Sequence, residues 1–247
     1  MKVSIITVCY NSRSTIADAL RSVAAQSWPQ IEYIVIDGGS TDGTVELVRE
    51  LAPAGAVVVS EPDRGIYDAM NKGLRLASGD MIGFLNADDV LAHADVIAEI
   101  AKLAEREEAD VVYGDLVYVA RDRAQHVVRR WQSGRYRRAR LGFGWMPPHP
   151  TFYFRRGLLP RLQGFNIQFR IAADYDFMLR CLLQPGLRIS YLPQVLVKMK
   201  TGGASNRSLR AIFRKSVEDY SVLRQNRIGG FATLIFKNIR KLPQLIG

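Results

Sequence analysis

Met81-Ile82-Gly83-Phe84-Leu85-Asn86-Ala87-Asp88-Asp89 is the stretch on which the reading of this chain turns. Apolar residues at 81, 82, 84 and 85 predict a strand buried on both faces. Such a strand delivers its last residues to the sheet edge where ligands bind in open α/β folds. Adjacent carboxylates there repel unless something positive sits between them and the substrate. A hard divalent cation, Mn²⁺ or Mg²⁺, shared with a diphosphate meets that need. The alternative is that Asp88 or Asp89 caps a helix starting near Leu91.

On either side of this stretch the pattern is regular. Val3–Cys9, Ile31–Ile36 and Val57–Val59 predict strands. Ile16 to Ala24, Val45 to Leu51 and residues 66–76 have helical spacing, as does a segment from about 93 to 106 before a strand at Val111–Tyr113. Alternation of this kind means βαβ units and a parallel sheet. Beyond residue 115 the pattern loosens. Val117–Val119 and Val127-Val128 suggest a hairpin, 129–140 a loop, Thr151–Phe154 a strand and Asp174–Leu183 a helix. Ile189–Val197 reads as extended structure broken at Pro193, and the last 40 or so residues as basic helices.

The chain has 247 residues, 48% apolar and 23% charged, which is enough for a globular α/β domain with a sizeable core. Cys9 and Cys181 lie in apolar segments, predicting buried thiols in a reducing compartment and neither a disulfide framework nor a zinc site. Met1-Lys2 runs straight into a strand and no apolar stretch is long enough to span a bilayer, so a cytoplasmic location is expected, with peripheral contact at the inner membrane face as an extension. The net charge of +10 hides an asymmetry. Residues 1–120 carry 9 Lys+Arg against 19 Asp+Glu, and 121–247 carry 25 against 5. The basic half should face an anionic partner.

The loop Asp37-Gly38-Gly39-Ser40-Thr41-Asp42-Gly43-Thr44 follows a strand and precedes a helix. Neither GxGxxG nor GxxxxGK[ST] occurs, which disfavours NAD binding and a P-loop. Asp37 can accept from a base N–H or a ribose hydroxyl, and the small residues after it let a flat ring approach. A tight turn with Ser40, Asp42 or Thr44 as helix cap explains the same residues.

Thr7-Val8-Cys9-Tyr10-Asn11, the 37–44 loop, Gly65 to Gly73 and Phe84 to Asp89 occur in the order and spacing that resemble family 2 inverting glycosyltransferases of the GT-A fold. The resemblance covers residues 1–115. It implies a nucleotide-sugar donor held by Thr7, Tyr10, Asn11, Asp37, Ser40, Asp68, Lys72, Asn86 and Ala87, and a divalent cation at Asp88 with Asp89. Asn86 stands at the first position of that family's DxD motif, leaving Asp88 as the better ligand. Ala69-Met70-Asn71 replaces a frequent Ala-Arg-Asn, so a cationic contact falls to Arg64 or Lys72. Ala172 to Arg180 resembles the family's Glu-Asp motif at a helix start, with Ala173 in the Glu position. Asp174 and Asp176 are thus the candidates for a general base, Asp174 aligning with the motif's Asp. His149, Arg170 and Arg180 are candidate acceptor contacts.

Residues 205–247 hold 9 Lys+Arg against 2 acids, with Leu209, Ile212, Phe213 and Val217, then Phe231, Leu234, Ile235 and Ile239, at helical spacing. Basic amphipathic helices favour an anionic membrane surface; packing on the domain is the alternative. The expectation is therefore a GT-A type α/β fold with a doubly wound, mostly parallel sheet. Residues 1–115 would form the donor half, 116–204 the acceptor half of the same domain, and 205–247 a helical extension. The expected activity is transfer of a sugar to a glycan or lipid-linked acceptor. Two other readings fit less well. A sugar-nucleotide pyrophosphorylase would want a Gly-rich basic loop in place of Tyr10-Asn11-Ser12-Arg13. A nucleic-acid-binding module would want aromatics among its basic patches, and only Trp131 and Tyr136 lie close, so no nucleic acid is expected.

Overall fold

The computed structural model describes residues 1–120, 126–201 and 209–239. Asp122 and the side chains of Leu209 and Ile212 lie outside them. The first half alternates as expected: β1 (Val3–Cys9), α1 (Ile16–Ala24), β2 (Ile31–Asp37), α2 (Thr44–Leu51), β3 (Val57–Ser60), α3 (Ile66–Leu76) and β4 (Met81–Phe84). There follow β5 (Asp89–Leu91), α4 (Val96–Arg106), β6 (Val111–Val119), β7 (Val127–Trp131), β8 (Tyr153–Arg155) and α5 (Leu159–Leu162). The rest is α6 (Ala173–Leu182), β9 (Ile189–Lys200), α7 (Leu209–Gln225) and α8 (Phe231–Ile239).

One mixed sheet has the order β3-β2-β1-β4-β8-β6-β9-β5, with β7 on β6. The first four strands are parallel, and β8 enters antiparallel between β4 and β6. Successive side chains of a strand point to opposite faces. Ile6, Ile34 and Phe84 accordingly join one apolar layer, with α3 and α6, while Ile5, Val35 and Met81 join the other, with α1 and α4. Gly83 is required by this packing, since a Cβ there would lie 2.2 Å from the Tyr153 ring. Cys9 and Cys181 are buried free thiols.

Four local expectations change. Asp89–Leu91 is a strand, not a helix start, because its backbone pairs antiparallel with Val197–Met199 of β9. The following helix begins only at Val96, so neither Asp88 nor Asp89 caps it. Val111 to Val119 is a single strand that crosses residue 115, and β7 takes the first residues of the expected 129–140 loop. Pro193 does not break β9. Gly114 faces an irregularity there, with Tyr113 opposite Tyr191 and Asp115 opposite Val195.

Candidate active site

The register places Cys9 beside Asp37 and Ile6 beside Phe84, so β1, β2 and β4 open onto one sheet edge. At that edge the loops after β1 and β2 are stapled together. Asn11, in the left-handed region at φ 47, donates its N–H to Ser40 Oγ at 2.8 Å, and its Oδ1 accepts from Thr41 N at 3.0 Å. Asp37 is buried and accepts from the amides of Gly39 (3.0 Å) and Ser40 (2.9 Å), from the Ser40 hydroxyl, and from Ser60 Oγ at 2.7 Å. Burial pushes its carboxyl up, but the bonds from Ser40, Ser60 and Gly39 outweigh it and hold the group below the ordinary carboxylate range. Thr7 is buried under the loops and accepts from the Tyr33 hydroxyl at 3.0 Å.

Of the residues expected to hold the donor, Asn11 and Asp37 are thus both bonded to Ser40, and Thr7 to Tyr33. The Asp37 carboxylate and the Ser40 hydroxyl are engaged by the protein. Tyr10 is 64% exposed beside Gly38.

The turn after β4 separates the two adjacent acids. Asn86 Nδ2 donates to Asp89 Oδ2 at 2.7 Å, and Asp89 is fully buried. Its Oδ1 has no hydrogen-bond partner among the described residues, and burial, then the charge of Asp88, pushes its carboxyl up to about 8. Ala87 is buried, and Asp88 is half-buried at the open side of the turn. Asp89 is thus a buried support and not a second exposed ligand, and the Asn86 amide is committed to it.

Among the described residues no three of His, Cys, Asp and Glu converge into a metal cage. A divalent cation shared with a diphosphate needs only one or two protein carboxylates, so an open Asp88 fits such an ion.

Two further donor-side candidates brace the loop before α3. Asp68 accepts the Arg64 amide at 3.1 Å and pairs with its guanidinium at 3.4 Å, and the Arg64 amide holds its carboxyl below the ordinary range. Lys72 pairs with Glu61 at 2.9 Å and donates to Pro62 O at 2.8 Å. Both therefore hold the loop together, and Arg64 and Lys72 are already engaged. Asn71 clamps Phe165 in both directions, donating to its carbonyl at 2.9 Å and accepting from its amide at 2.8 Å.

In the second half of the chain, α6 opens with Asp174 half-buried and Asp176 buried. Asp174 Oδ1 accepts the Tyr175 amide at 2.8 Å and the Tyr67 hydroxyl at 3.3 Å, and the same hydroxyl donates to Ile171 O at 2.7 Å. Asp176 accepts from Arg180 Nε at 2.8 Å and from Asn226 Nδ2 at 3.0 Å. The helix lacks a side-chain cap of its own. Glu218 of α7 supplies one, accepting from the amides of Arg170, Ile171 and Ala172 at 3.2, 2.8 and 3.0 Å.

The acceptor candidates divide. Arg180 is a structural tie, donating to Asp176, Leu162 O and Gly164 O, so its guanidinium is spent. Arg170 is exposed. His149 is buried, stacked on Phe84 at 5.3 Å and edge-on to Phe165 at 5.9 Å. Burial keeps its imidazole below the usual range, and the charge of Asp174 opposes that. His149 thus bridges the strand leading to Asp88 and the helix bearing Asp174.

Sequence reasoning missed Tyr67 and Glu218. Tyr67 has the i, i+3 spacing of a core residue, and nothing in the sequence pairs Glu218 with an amide run 46 to 48 residues earlier.

Residues 4–162 match the model of the family described as Glycosyl transferase family 2. A PGL/p-HBAD biosynthesis glycosyltransferase of Mycobacterium tuberculosis is 33% identical over 248 residues, covering 98% of this chain and 91% of the relative. An uncharacterized glycosyltransferase of the same species is 34% identical over 189 residues, 73% of this chain and 69% of its own. Among solved structures, S. aureus TarS 1–349 in complex with UDP-GlcNAc resembles the chain with a TM-score of 0.70 at 22% identity, over 92% of this chain and 65% of that one. The chain spans 39% of a longer TarS structure. The mannosyltransferase PcManGT from Pyrobaculum calidifontis, in complex with GDP-Man and Mn²⁺, has a TM-score of 0.66 at 22% identity, over 98% of this chain and 69% of that one. At that identity the structures speak for the fold, which is GT-A. A family match over most of the chain and a relative that spans nearly all of it lead to one assignment: the chain belongs to glycosyl transferase family 2 and is a glycosyltransferase.

Proposed function

We propose that the chain transfers a sugar from a nucleoside diphosphate sugar to an acceptor hydroxyl with inversion, in a single displacement. The observation that carries this reading is Asp174. It is the half-buried carboxylate of α6, its Oδ1 oriented by Tyr67 and Tyr175, while Asp176 beside it is buried and paired. Asp174 takes the proton of the acceptor hydroxyl. The acceptor oxygen attacks the anomeric carbon from the face opposite the diphosphate. The bond from that carbon to the β-phosphate oxygen breaks, and the nucleoside diphosphate leaves with the electron pair. A divalent cation, Mn²⁺ or Mg²⁺, held by Asp88 would supply positive charge against the leaving group. His149 and Phe84, buried and stacked on each other, form an apolar floor behind the turn that carries Asp88. The test is the product anomer by NMR: an α-linked donor should give a β-linked product, and retention would overturn the single displacement.

The acceptor side suggests a lipid-linked substrate and an anionic membrane surface. No helix among the described residues is long and apolar enough to cross a membrane. Val222, Leu223 and Leu234 of α7 and α8 join the core, so these helices pack on the domain. Phe143, Phe231, Ile235, Phe236 and Ile239 nevertheless remain exposed on one side, with Phe143 and Phe236 in ring contact at 5.7 Å. The exposed Arg137 and Arg138 lie just before that segment, in a half of the chain with 25 Lys+Arg against 5 acids. Apolar contact combined with positive charge suits anionic lipid.

Substituting Phe231, Ile235 and Ile239 together by Ser should cut binding to phosphatidylglycerol vesicles by about tenfold or more. Slow hydrolysis of the nucleotide sugar by water should continue at the wild-type rate. Unchanged vesicle binding would remove the membrane from the proposal.

A further inference from the structure

Asp63 lies in the loop between β3 and α3, and its Oδ1 accepts the Gly65 amide at 2.7 Å. Its Oδ2 takes no hydrogen bond from a described residue, and the neighbouring cations Arg64 and Lys72 are committed to Asp68 and Glu61. Oδ2 stands directly over Gly38. A Cβ built on that glycine would lie 2.5 Å from Asp63 Oδ2 and 3.4 Å from Tyr10 Cδ2. Gly38 does not have a positive φ, so its backbone does not require glycine. What excludes a side chain is the space in which the carboxylate and the Tyr10 ring meet. The result is an exposed aromatic platform with a fixed anion at its rim, beside a wall whose other acid, Asp37, is saturated by its own turn.

A base stacked on Tyr10 would turn its hydrogen-bonding edge to that anion, and the bases differ sharply there. Guanine presents two adjacent donors, N1–H and the 2-amino group, which a carboxylate accepts side by side. The Asp63 oxygens can serve both, because Oδ1 keeps a lone pair after bonding Gly65. Uracil and thymine present one N–H between two carbonyls, whose lone pairs repel the carboxylate. Adenine and cytosine present one amine beside a ring-nitrogen acceptor. Attraction to one base and repulsion of the others act in the same direction. We propose that Asp63, placed by Gly38 beside Tyr10, makes the chain selective for a guanosine diphosphate sugar. This rests on the nucleotide-sugar reading above and adds the identity of the base.

The test is calorimetric titration of the full chain with GDP, UDP, dTDP and ADP in excess MnCl₂. Wild type should bind GDP about 10–100-fold more tightly than the others, the weight of one good bidentate base contact. Asp63→Asn keeps an oxygen for Gly65 but replaces an acceptor by a donor, and should cost GDP most of that advantage while leaving UDP no weaker. Gly38→Ala should do the same without changing the charge, because the added Cβ displaces the carboxylate. Equal or tighter binding of UDP or dTDP by wild type, or a GDP preference that survives both variants, overturns the base assignment alone. Failure of every nucleoside diphosphate to bind overturns the nucleotide-sugar reading with it.

Discussion

Asp174→Asn is expected to bind donor and Mn²⁺ as wild type does while losing roughly 10²–10⁴-fold in transfer rate, the usual weight of a general base. Asp174 and Asp176 are two positions apart on α6, so their side chains diverge by roughly 200° around the axis. Only one can face an acceptor, and the buried Asp176 is already bound to Arg180 and Asn226. Asn at 174 can still accept the Tyr67 and Tyr175 hydrogen bonds, so the helix start survives. Asp176→Asn should instead leave the rate per folded molecule near wild type. It should cost about 1–3 kcal/mol of stability, because Arg180 keeps its carbonyl partners but loses its counter-charge. Donor affinity by calorimetry, transfer rate at saturating acceptor and urea unfolding read the pair. A catalytically dead but stable Asp176→Asn beside an active Asp174→Asn would reverse the assignment.

Asp88→Asn should fold normally and lose about 10²–10³-fold in turnover, together with the Mn²⁺ dependence of donor binding. An amide ligates a hard divalent ion poorly, and the half-buried position lets the substitution pass without disturbing the core. The informative control is Asp89→Asn. Its carboxyl is buried and hydrogen-bonded to Asn86, so the variant should keep metal-dependent donor binding. Thermal unfolding with and without donor and MnCl₂ distinguishes them. Wild-type turnover by Asp88→Asn, or loss of metal dependence in a well-folded Asp89→Asn alone, would show that the two acids had been assigned the wrong way round.

Much of the fold was legible because the signals are local. Val3–Cys9, Ile31–Asp37 and Met81–Phe84 are nearly unbroken apolar runs, and α1 to α4 repeat their apolar residues at helical spacing. The short strand Asp89–Leu91 was not, because its sheet partner among the described residues is Met199 and its neighbours, far along the chain. The site was legible as a place more than as a set of contacts. Sequence identifies Thr7, Asn11, Asp37 and Ser40 as polar groups at or just after strand ends, but not that Ser40 bonds both Asn11 and Asp37 or that Thr7 bonds Tyr33. The divergence of Asp174 and Asp176 could be read in advance, since helix geometry alone separates them. Asp63 could not, because its significance depends on what Gly38 lacks.

Glu218 gives the chain a seam that its residue numbering conceals. The family match ends at Leu162, yet the helix bearing Asp174 starts beyond it, and its first amides are held by a carboxylate from α7. Grafting residues 163–182 from another transferase onto this donor half would import a helix without the acid that anchors its entry. The smallest exchangeable cassette therefore runs from the Phe165 clamp through Glu218. A chimera built to change the acceptor has to carry α7 along with Asp174.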